Sequence, residues 1–316
     1  MSEQRRSRKL LILLSILLLF PVPASMPASA ALKHGTSPSE QAAGSSTSLD
    51  TGEEPSVPAS RSAKYRKGLT LSQLLRKYPE TIKTRGPRSH SIALTFDDVP
   101  DPRFTPQLLD VLKKYRVKAT FFVVGSRAEK HPELVRRMIR EGHAIGNHSY
   151  THPQFVKLSV NDFRMQIVHT ENILQALAGY KPRLIRPPYG EISEQQLRWA
   201  KFGGYKLVNW NVDSLDWKGL SKTQVRNNIL SKAGKGSIIL QHGGGGRGSN
   251  LNGTIQALPE VINILRKRGY TFVTVPQLLQ VSKNKQVKTA LPSSAKHMLP
   301  KQRSYVSLSG IRFCEK

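Results

Sequence analysis

Two adjacent carboxylates, Asp97 and Asp98, follow the short, mainly apolar run 92–96 and precede Pro100 and Pro102. Neighbouring strand residues point to opposite faces, but where the chain turns at the end of a strand both acids can reach one pocket. Burying two carboxylates side by side is costly unless a cation or a role in proton transfer stabilises them. The stretch therefore predicts either a cation or acid–base site, or a surface turn in which the two acids cap the next helix.

Two histidines, His148 and His152, lie four residues apart just after the short apolar stretch 144–147. At the end of a strand, both imidazoles can point at one place. Histidine is the commonest metal ligand, and two neutral imidazoles with one carboxylate leave the open position that a catalytic zinc-like site requires. The pair is weak evidence alone. Together with Asp97 and Asp98 on a neighbouring strand, it predicts a metal centre.

A third cluster, Arg186-Pro-Pro-Tyr189-Gly190, is rigid because its prolines restrict the backbone. A fixed arginine can hold a carboxylate in its charged form by lowering its pKa. The backbone amide near Tyr189 could donate to a developing oxyanion. The alternative is an ordinary rigid loop in which Arg186 forms a structural ion pair.

The last two clusters pair acids with a histidine. Asp213 and Asp216 lie in a tryptophan-flanked loop, and either carboxylate could orient and charge a histidine, while Trp217 could form an apolar wall or simply belong to the core. His242 ends a predicted strand before the glycine run 243–246, where it could act as an acid. This run lacks the lysine and the serine or threonine of a phosphate-binding loop.

The elements that must position these clusters alternate along the chain. Predicted strands follow the first run at 118–124, 144–147, 184–186, 205–210, 237–241 and 270–275, and predicted helices lie between them. One predicted helix has Thr105 as its N-cap. The others span 132–141, 159–177, 193–202, 223–233 and 255–268. Such alternation predicts a parallel α/β sheet or barrel, whose strand ends bring loops together at one edge.

The chain ends differ from this central region. Residues 1–30 have the basic start, apolar core and small-residue cleavage site of a signal peptide, with an uncleaved anchor as the alternative. We expect a disordered linker at 31–64, a short helical lead-in at 65–90 with its helix within 65–83, one domain at 91–280 and a basic tail at 281–316. The net charge of +28 favours an anionic partner. Export makes this partner the cell envelope rather than nucleic acid, and the single Cys314 excludes an internal disulfide.

Taken together and in this order, the five clusters resemble the polysaccharide deacetylase family, also called NodB-homology or carbohydrate esterase family 4 enzymes. The motifs Thr95-Phe-Asp-Asp98 and His148-Ser-x-x-His152 carry most of the resemblance, and Arg186-Pro-Pro-Tyr-Gly190 and Leu240-x-His242 add to it. The resemblance covers roughly residues 91–279. It implies a distorted (β/α) barrel and a hydrolase that removes acetyl groups from amino-sugar polysaccharides such as peptidoglycan or chitin-like oligosaccharides.

The resemblance also implies a role for each residue. The metal, usually zinc with cobalt as an alternative, would be held by Asp98, His148 and His152. Asp97 would be the general base, kept ionised by Arg186, and His242 would be the acid, tuned by Asp213 or Asp216. The remaining positions would contact the substrate: Tyr189 through an oxyanion contact, and Leu240 and Trp217 as walls of the acetyl pocket.

The sequence departs from the family's pattern at Val99, where glycine is common. Valine resists positive φ, so we expect the loop to take another path or to be strained, which would affect the placement of Asp98. Two alternatives to an N-deacetylase remain open, and Val99 supports only the second of them. One is an O-acetyl esterase acting on a glycan such as xylan, and the other is a non-catalytic relative that binds the cell wall.

Overall fold

A parallel sheet lies at the centre of the computed structural model, which describes residues 68–285. Its strands, in chain order, are β1 Ile82–Lys83, β2 Ser91–Val99, β3 Thr120–Val123, β4 Ala144–Asn147, β5 Leu184–Ile185, β6 Lys206–Val208, β7 Val212–Asp213, β8 Ile238–His242 and β9 Thr271–Phe272. The strand order is β1-β6-β5-β4-β3-β2-β8-β7, and β9 pairs with the start of β2. All these strand pairs are parallel. The predicted parallel α/β architecture is therefore confirmed.

Helices connect the strands. They are α1 Leu71–Lys77, α2 Thr105–Lys114, α3 Gly125–Lys130, α4 Pro132–Arg140, α5 Val160–Ala178, α6 Glu194–Phe202, α7 Lys222–Leu230, α8 Asn252–Lys267 and α9 Val275–Leu278. Three 3-10 turns lie at Phe155–Lys157, Pro188–Gly190 and Asp216–Lys218. Ser159 and Ser193 cap α5 and α6 by accepting from the backbone N–H three residues later. Both helix starts agree with the sequence prediction to within one residue.

The main hydrophobic core packs between the long strands and the helices that follow them. Phe96 of β2 stacks on Phe121 of β3 at 5.3 Å between ring centroids, and both side chains are fully buried. Leu108 of α2 and Leu258 of α8 belong to the same buried cluster. Full burial of such side chains stabilises each by about 1.5–3 kcal/mol. This packing fixes the carboxyl ends of β2 and β8, where Asp97, Asp98 and His242 lie.

Four local predictions differ from the structure. The helix expected within 65–83 stops at Lys77, because Tyr78 precedes Pro79 and the following residues form β1. The strand expected at 270–275 ends at Phe272, and a capping box at Thr274 begins α9. Helix α3 was not expected. Thr105 lies inside α2 rather than capping it, because its hydroxyl donates to the Gly243 carbonyl oxygen.

Several predictions fall outside the described residues. These are the signal peptide at 1–30, the linker at 31–64 and all but the first few residues of the basic tail at 281–316. Between residues 68 and 285, no helix has the length and apolar character needed to cross a membrane.

Candidate active site

A cavity of about 600 Å³ opens at the carboxyl ends of the strands. Every one of the five clusters contributes residues to its lining. These residues are Asp97, Asp98, His148, His152, Tyr189, Asp213, Trp217, Leu240 and His242. Arg186 is fully buried and contacts Asp97. Parallel strands place their carboxyl ends at one edge, so residues far apart in sequence meet there.

Asp98, His148 and His152 form the candidate metal site. Their ligand atoms all lie within 4.8 Å of one another. The Asp98 Oδ1 lies 3.2 Å from the His152 Nε2 and 3.7 Å from the His148 Nε2. The His148 Nδ1 lies 2.7 Å from the Arg186 carbonyl oxygen, so Nδ1–H can donate there and Nε2 remains the ligand atom.

The chemistry of this donor set fits a zinc-like ion. Burial, together with the neighbouring His152, lowers the pKa of His148 to about 3. His148 is therefore neutral over the physiological range, as a metal ligand must be. Two imidazole nitrogens and one carboxylate oxygen are the ligand types of catalytic zinc sites, which keep an open coordination position.

Asp97 lies beside this triad and is 3 % exposed. Its Oδ1 accepts a hydrogen bond of 2.8 Å from the Arg186 Nη1. Burial raises the pKa of Asp97, and the Arg186 guanidinium opposes that rise. The result is a carboxylate that accepts a proton more readily than an ordinary aspartate, which suits a general base.

Arg186 is rigid because its guanidinium is satisfied on every side. The Nε donates to the Val208 carbonyl oxygen, and Nη1 donates to the Thr95 hydroxyl as well as to Asp97. The guanidinium also stacks 4.1 Å from the centroid of the Phe122 ring. A cation held this firmly positions the Asp97 carboxylate with little freedom to move.

His242 faces the triad from the end of β8 and is paired with Asp216. The His242 Nδ1 lies 2.7 Å from the Asp216 Oδ1. The Asp216 Oδ2 accepts hydrogen bonds from the backbone N–H of His242 and from the Thr254 hydroxyl. Burial alone would lower the pKa of His242, but the Asp216 carboxylate raises it to about 9. His242 is therefore protonated at neutral pH and can donate from Nε2.

The two acids of the fourth cluster have different positions. Sequence spacing left open whether Asp213 or Asp216 tunes His242, and the structure places Asp216 against it. Asp213 lines the cavity and accepts from the Leu215 N–H at 2.8 Å. Leu215 has a φ of 56°, and this sharp turn separates the directions of the two carboxylates.

The strained backbone expected at Val99 lies at the neighbouring Asp98 instead. The positive φ falls on Asp98 itself, at 63°, and aspartate tolerates this conformation better than valine does. Val99 is the fully buried last residue of β2, and its carbonyl oxygen accepts from the Val124 N–H. Asp98 thus keeps its place beside both histidines.

Aromatic and aliphatic side chains form the walls of the cavity. Tyr189 is 64 % exposed and its ring packs edge-on against His152, with 5.0 Å between centroids. Trp217 is 57 % exposed, whereas Leu240 is buried. Exposed aromatic rings beside a polar cavity can stack on a substrate without contributing to the core. Trp217 and Leu240 thus line the cavity, as the walls of the acetyl pocket implied by the resemblance would, and the backbone oxyanion contact implied for Tyr189 stays a prediction.

Two residues that contact the candidate site, Thr254 and Arg127, were not identified from the sequence. Thr254 donates to the Asp216 Oδ2 at 2.7 Å. Arg127 lines the cavity, donates to the Asp98 carbonyl oxygen at 2.9 Å and also holds the Gly245 carbonyl oxygen. No local motif marks either residue, since both act across long sequence separations and Arg127 is one of 49 lysines and arginines.

A family model described as polysaccharide deacetylase matches residues 84–208. A peptidoglycan-N-acetylglucosamine deacetylase of Bacillus cereus is 50 % identical over 194 residues, which are 61 % of this chain and 70 % of the relative. A peptidoglycan-N-acetylmuramic acid deacetylase of Bacillus subtilis is 41 % identical over 206 residues, which are 65 % of this chain and 42 % of that relative.

A crystal structure of a peptidoglycan N-acetylglucosamine deacetylase, in complex with 4-naphthalen-1-yl-N-oxidanyl-benzamide, is also similar. The match has a TM-score of 0.65 and 47 % sequence identity, and it covers 67 % of this chain and 99 % of the solved one.

Proposed function

The chain belongs to the polysaccharide deacetylase family, and we propose that it is an exported, metal-dependent hydrolase that removes N-acetyl groups from peptidoglycan. Chitin-like oligosaccharides are the next candidate substrate. The names of the relatives support an amino-sugar substrate, and two of them act on peptidoglycan. The relatives differ in whether N-acetylglucosamine or N-acetylmuramic acid is the sugar, so the proposal covers both.

One observation carries the proposal: a candidate base and a candidate acid lie in the same cavity as three metal-ligand side chains. Amide hydrolysis needs an activated water, stabilisation of charge on the carbonyl oxygen, and a proton for the leaving nitrogen. Asp97 can activate the water, and His242 can supply the proton to the leaving nitrogen. Asp98, His148 and His152 have the ligand atoms to hold a metal ion, and that ion would stabilise the charge on the carbonyl oxygen.

When bound, a divalent metal would polarise the acetamide carbonyl and make the hydrolytic water more acidic. Asp97 accepts a proton from that water, since burial raises its pKa while Arg186 fixes its orientation. His242 is charged at neutral pH and donates a proton from Nε2 to the leaving amine. Asp216 holds the His242 ring through Nδ1.

The cavity walls would orient the sugar. Tyr189 and Trp217 expose aromatic faces on which a pyranose ring can stack, and Leu240 offers an apolar surface for the acetyl methyl group. The walls hold the scissile amide near Asp97 and His242, which lowers the entropic part of the barrier.

The testing experiment measures metal content and acetate release on one preparation of the full chain. With zinc or cobalt supplied, we expect about one bound ion per chain and acetate release from peptidoglycan fragments. Asp97→Asn should keep the ion and lose activity by about 10²–10⁴-fold. His148→Ala should lose both. His90→Ala, at an exposed histidine, is the matched control and should lose neither.

Other outcomes would favour the alternatives. Release of acetate from O-acetylated xylan but from no N-acetylated substrate would identify an esterase. Binding to purified cell walls with no acetate released from either substrate class would identify a non-catalytic relative.

We also propose that the protein works at an anionic cell envelope, where residues 1–30 direct it. The net charge of +28 supports this partner. Three cationic residues adjoin through their backbones near the amino-terminal ends of β5 and β6. The Lys206 backbone N–H donates to the Arg183 carbonyl oxygen, and the Arg183 backbone N–H donates to the Lys283 carbonyl oxygen. Binding to isolated cell walls should weaken steeply with salt, and it should weaken further in Arg183→Glu/Lys283→Glu.

A further inference from the structure

The loop between the two candidate histidine ligands is held by a side chain outside all five sequence clusters. The Gln166 Oε1, on α5, accepts from the backbone N–H of Tyr150 and from that of Thr151, both at 2.9 Å. The Thr151 hydroxyl lies 3.3 Å from the same oxygen. One amide oxygen thus binds two consecutive N–H groups of the loop that joins His148 to His152.

This loop has a backbone that needs external support. Ser149 and His152 both have positive φ, at 67° and 61°. Non-glycine residues in this region are strained and persist only where the surroundings fix them. Within the loop, the Ser149 N–H donates to the Asn147 Oδ1, and the His152 N–H donates to the Ser149 hydroxyl.

Two consecutive residues of helix α5, Gln166 and Ile167, bind the loop. The Asn147 Nδ2 donates to the Ile167 carbonyl oxygen at 2.8 Å, which fixes the start of the loop. Gln166 fixes its middle. Ile167 is fully buried and anchors this part of the helix in the core. The separation of the two ligands therefore depends on a rigid helix rather than on the loop alone.

We propose that Gln166 is a positioning residue that sets the geometry of His148 and His152 for metal binding. This inference rests on the metal site of the proposed function. Without an acceptor at position 166, the two loop N–H groups turn to water. The loop then loses its support from the Gln166 side chain, while the Gly125 and Ser126 N–H groups still donate to the Ser149 and Tyr150 carbonyl oxygens. The His152 imidazole then spends less time within reach of Asp98.

The required property is the acceptor oxygen, not the volume of the side chain. Gln166 is only half-buried and Thr151 is exposed, so water can reach the loop when the side chain is lost. A carboxylate oxygen can accept two N–H groups as an amide oxygen does, whereas an aliphatic side chain accepts none. Gln166→Glu should therefore preserve the loop, and Gln166→Leu should release it.

The test uses the full chain, freed of metal and titrated with Zn²⁺ against a competing chelator. Partners that orient a ligand affect metal affinity by about 10–100-fold, so we expect that loss in Gln166→Leu. Gln166→Glu should bind Zn²⁺ within about threefold of the parent. Gln175→Leu, at an exposed glutamine further along α5, is the matched control and should match the parent.

Amide hydrogen exchange on the metal-free proteins gives a second measurement that does not depend on the ion. The Tyr150 and Thr151 amides should be protected in the parent and in Gln166→Glu, and should exchange faster in Gln166→Leu. At saturating Zn²⁺, Gln166→Leu should regain most acetate release, because every ligand and both proton carriers remain.

The outcomes separate the inference from the proposed function. A parent that binds Zn²⁺, with a Gln166→Leu variant that binds equally well, would overturn the inference and leave the proposed function standing. Failure of Gln166→Glu to restore affinity would overturn the acceptor role. A parent that binds no divalent metal would overturn the proposed function and, with it, the positioning role.

Discussion

The Val99 Cγ1 atom lies 2.6 Å from the position that a Cβ on Gly243 would occupy. Real Cβ atoms essentially never approach so closely. Val99 ends β2 and Gly243 follows β8, so the contact joins the loop of the candidate metal ligand Asp98 to the loop of His242. The bulk at position 99 is accommodated because position 243 has no side chain.

This relationship predicts coupled effects of substitution. Gly243→Ala should destabilise the protein by about 1–3 kcal/mol, since the added methyl group overpacks a closed site. In a Val99→Ala background the same change should cost less, because Cγ1 is gone. A double-mutant cycle measured by denaturant unfolding should give a coupling energy of about 0.5–3 kcal/mol.

Gly234→Ala is the control for that cycle. A Cβ at Gly234 meets nothing within 4 Å, and the residue does not have positive φ. This change should be neutral or stabilise by about 0.4–1 kcal/mol. Equal destabilisation by Gly243→Ala in the two backgrounds would contradict the packing argument.

A second prediction concerns the pH dependence of activity. His242 acts in its protonated form, and the Asp216 carboxylate raises its pKa to about 9. Acetate release in the parent should therefore fall as the pH rises through about 9. Asp216→Asn removes the charge that stabilises the imidazolium, so the fall should begin at lower pH. Profiles of kcat/KM against pH for the two proteins measure this shift, and superimposable alkaline limbs would contradict it.

The same pair should affect stability over a definite pH window. The pKa of His242 is raised in the folded protein, so its contribution is complete below about 6.5, the ordinary histidine value, and is lost as the pH rises through about 9. The pKa of Asp216 is lowered by the His242 charge against the effect of burial, so its contribution is present above the ordinary aspartate value and is lost in acid.

The free-energy difference of unfolding between the parent and Asp216→Asn should therefore be largest between these limits. Chemical denaturation of metal-free protein at several pH values measures it. A difference that stays constant into the alkaline range would show that the pair does not titrate in this way.

The sequence predicted the grouping of the candidate site because parallel strands place their carboxyl ends together. Asp97 and His242 are partners in the β2–β8 register although about half the chain separates them. The choice between Asp213 and Asp216 was beyond prediction, since both lie in one loop whose direction depends on the positive φ of Leu215. Gln166 was also beyond prediction, because a half-buried helical glutamine looks like any surface residue until its loop is known.

A third prediction concerns Trp217, whose side chain is exposed at the mouth of the cavity. Trp217→Ala should raise KM for an oligosaccharide, because it removes a stacking face worth about 0.5–1.5 kcal/mol. The melting temperature should change little, since the ring belongs to none of the hydrophobic core clusters within residues 68–285. Phe202→Ala, at a residue of similar exposure on α6, is the control and should leave KM unchanged. A large loss of stability in Trp217→Ala would assign the ring to the fold instead.

The last prediction concerns the stability gained from the metal. An ion that binds only the folded chain stabilises it by RT ln(1 + [L]/Kd), about 2.7 kcal/mol at one hundred times Kd. For a domain of this size, each kcal/mol should raise the melting temperature by about 2–4 °C. A strong chelator should abolish acetate release and lower the melting temperature together. His148→Ala should show no zinc-dependent rise, and an equal rise in that variant would place the bound ion away from Asp98, His148 and His152.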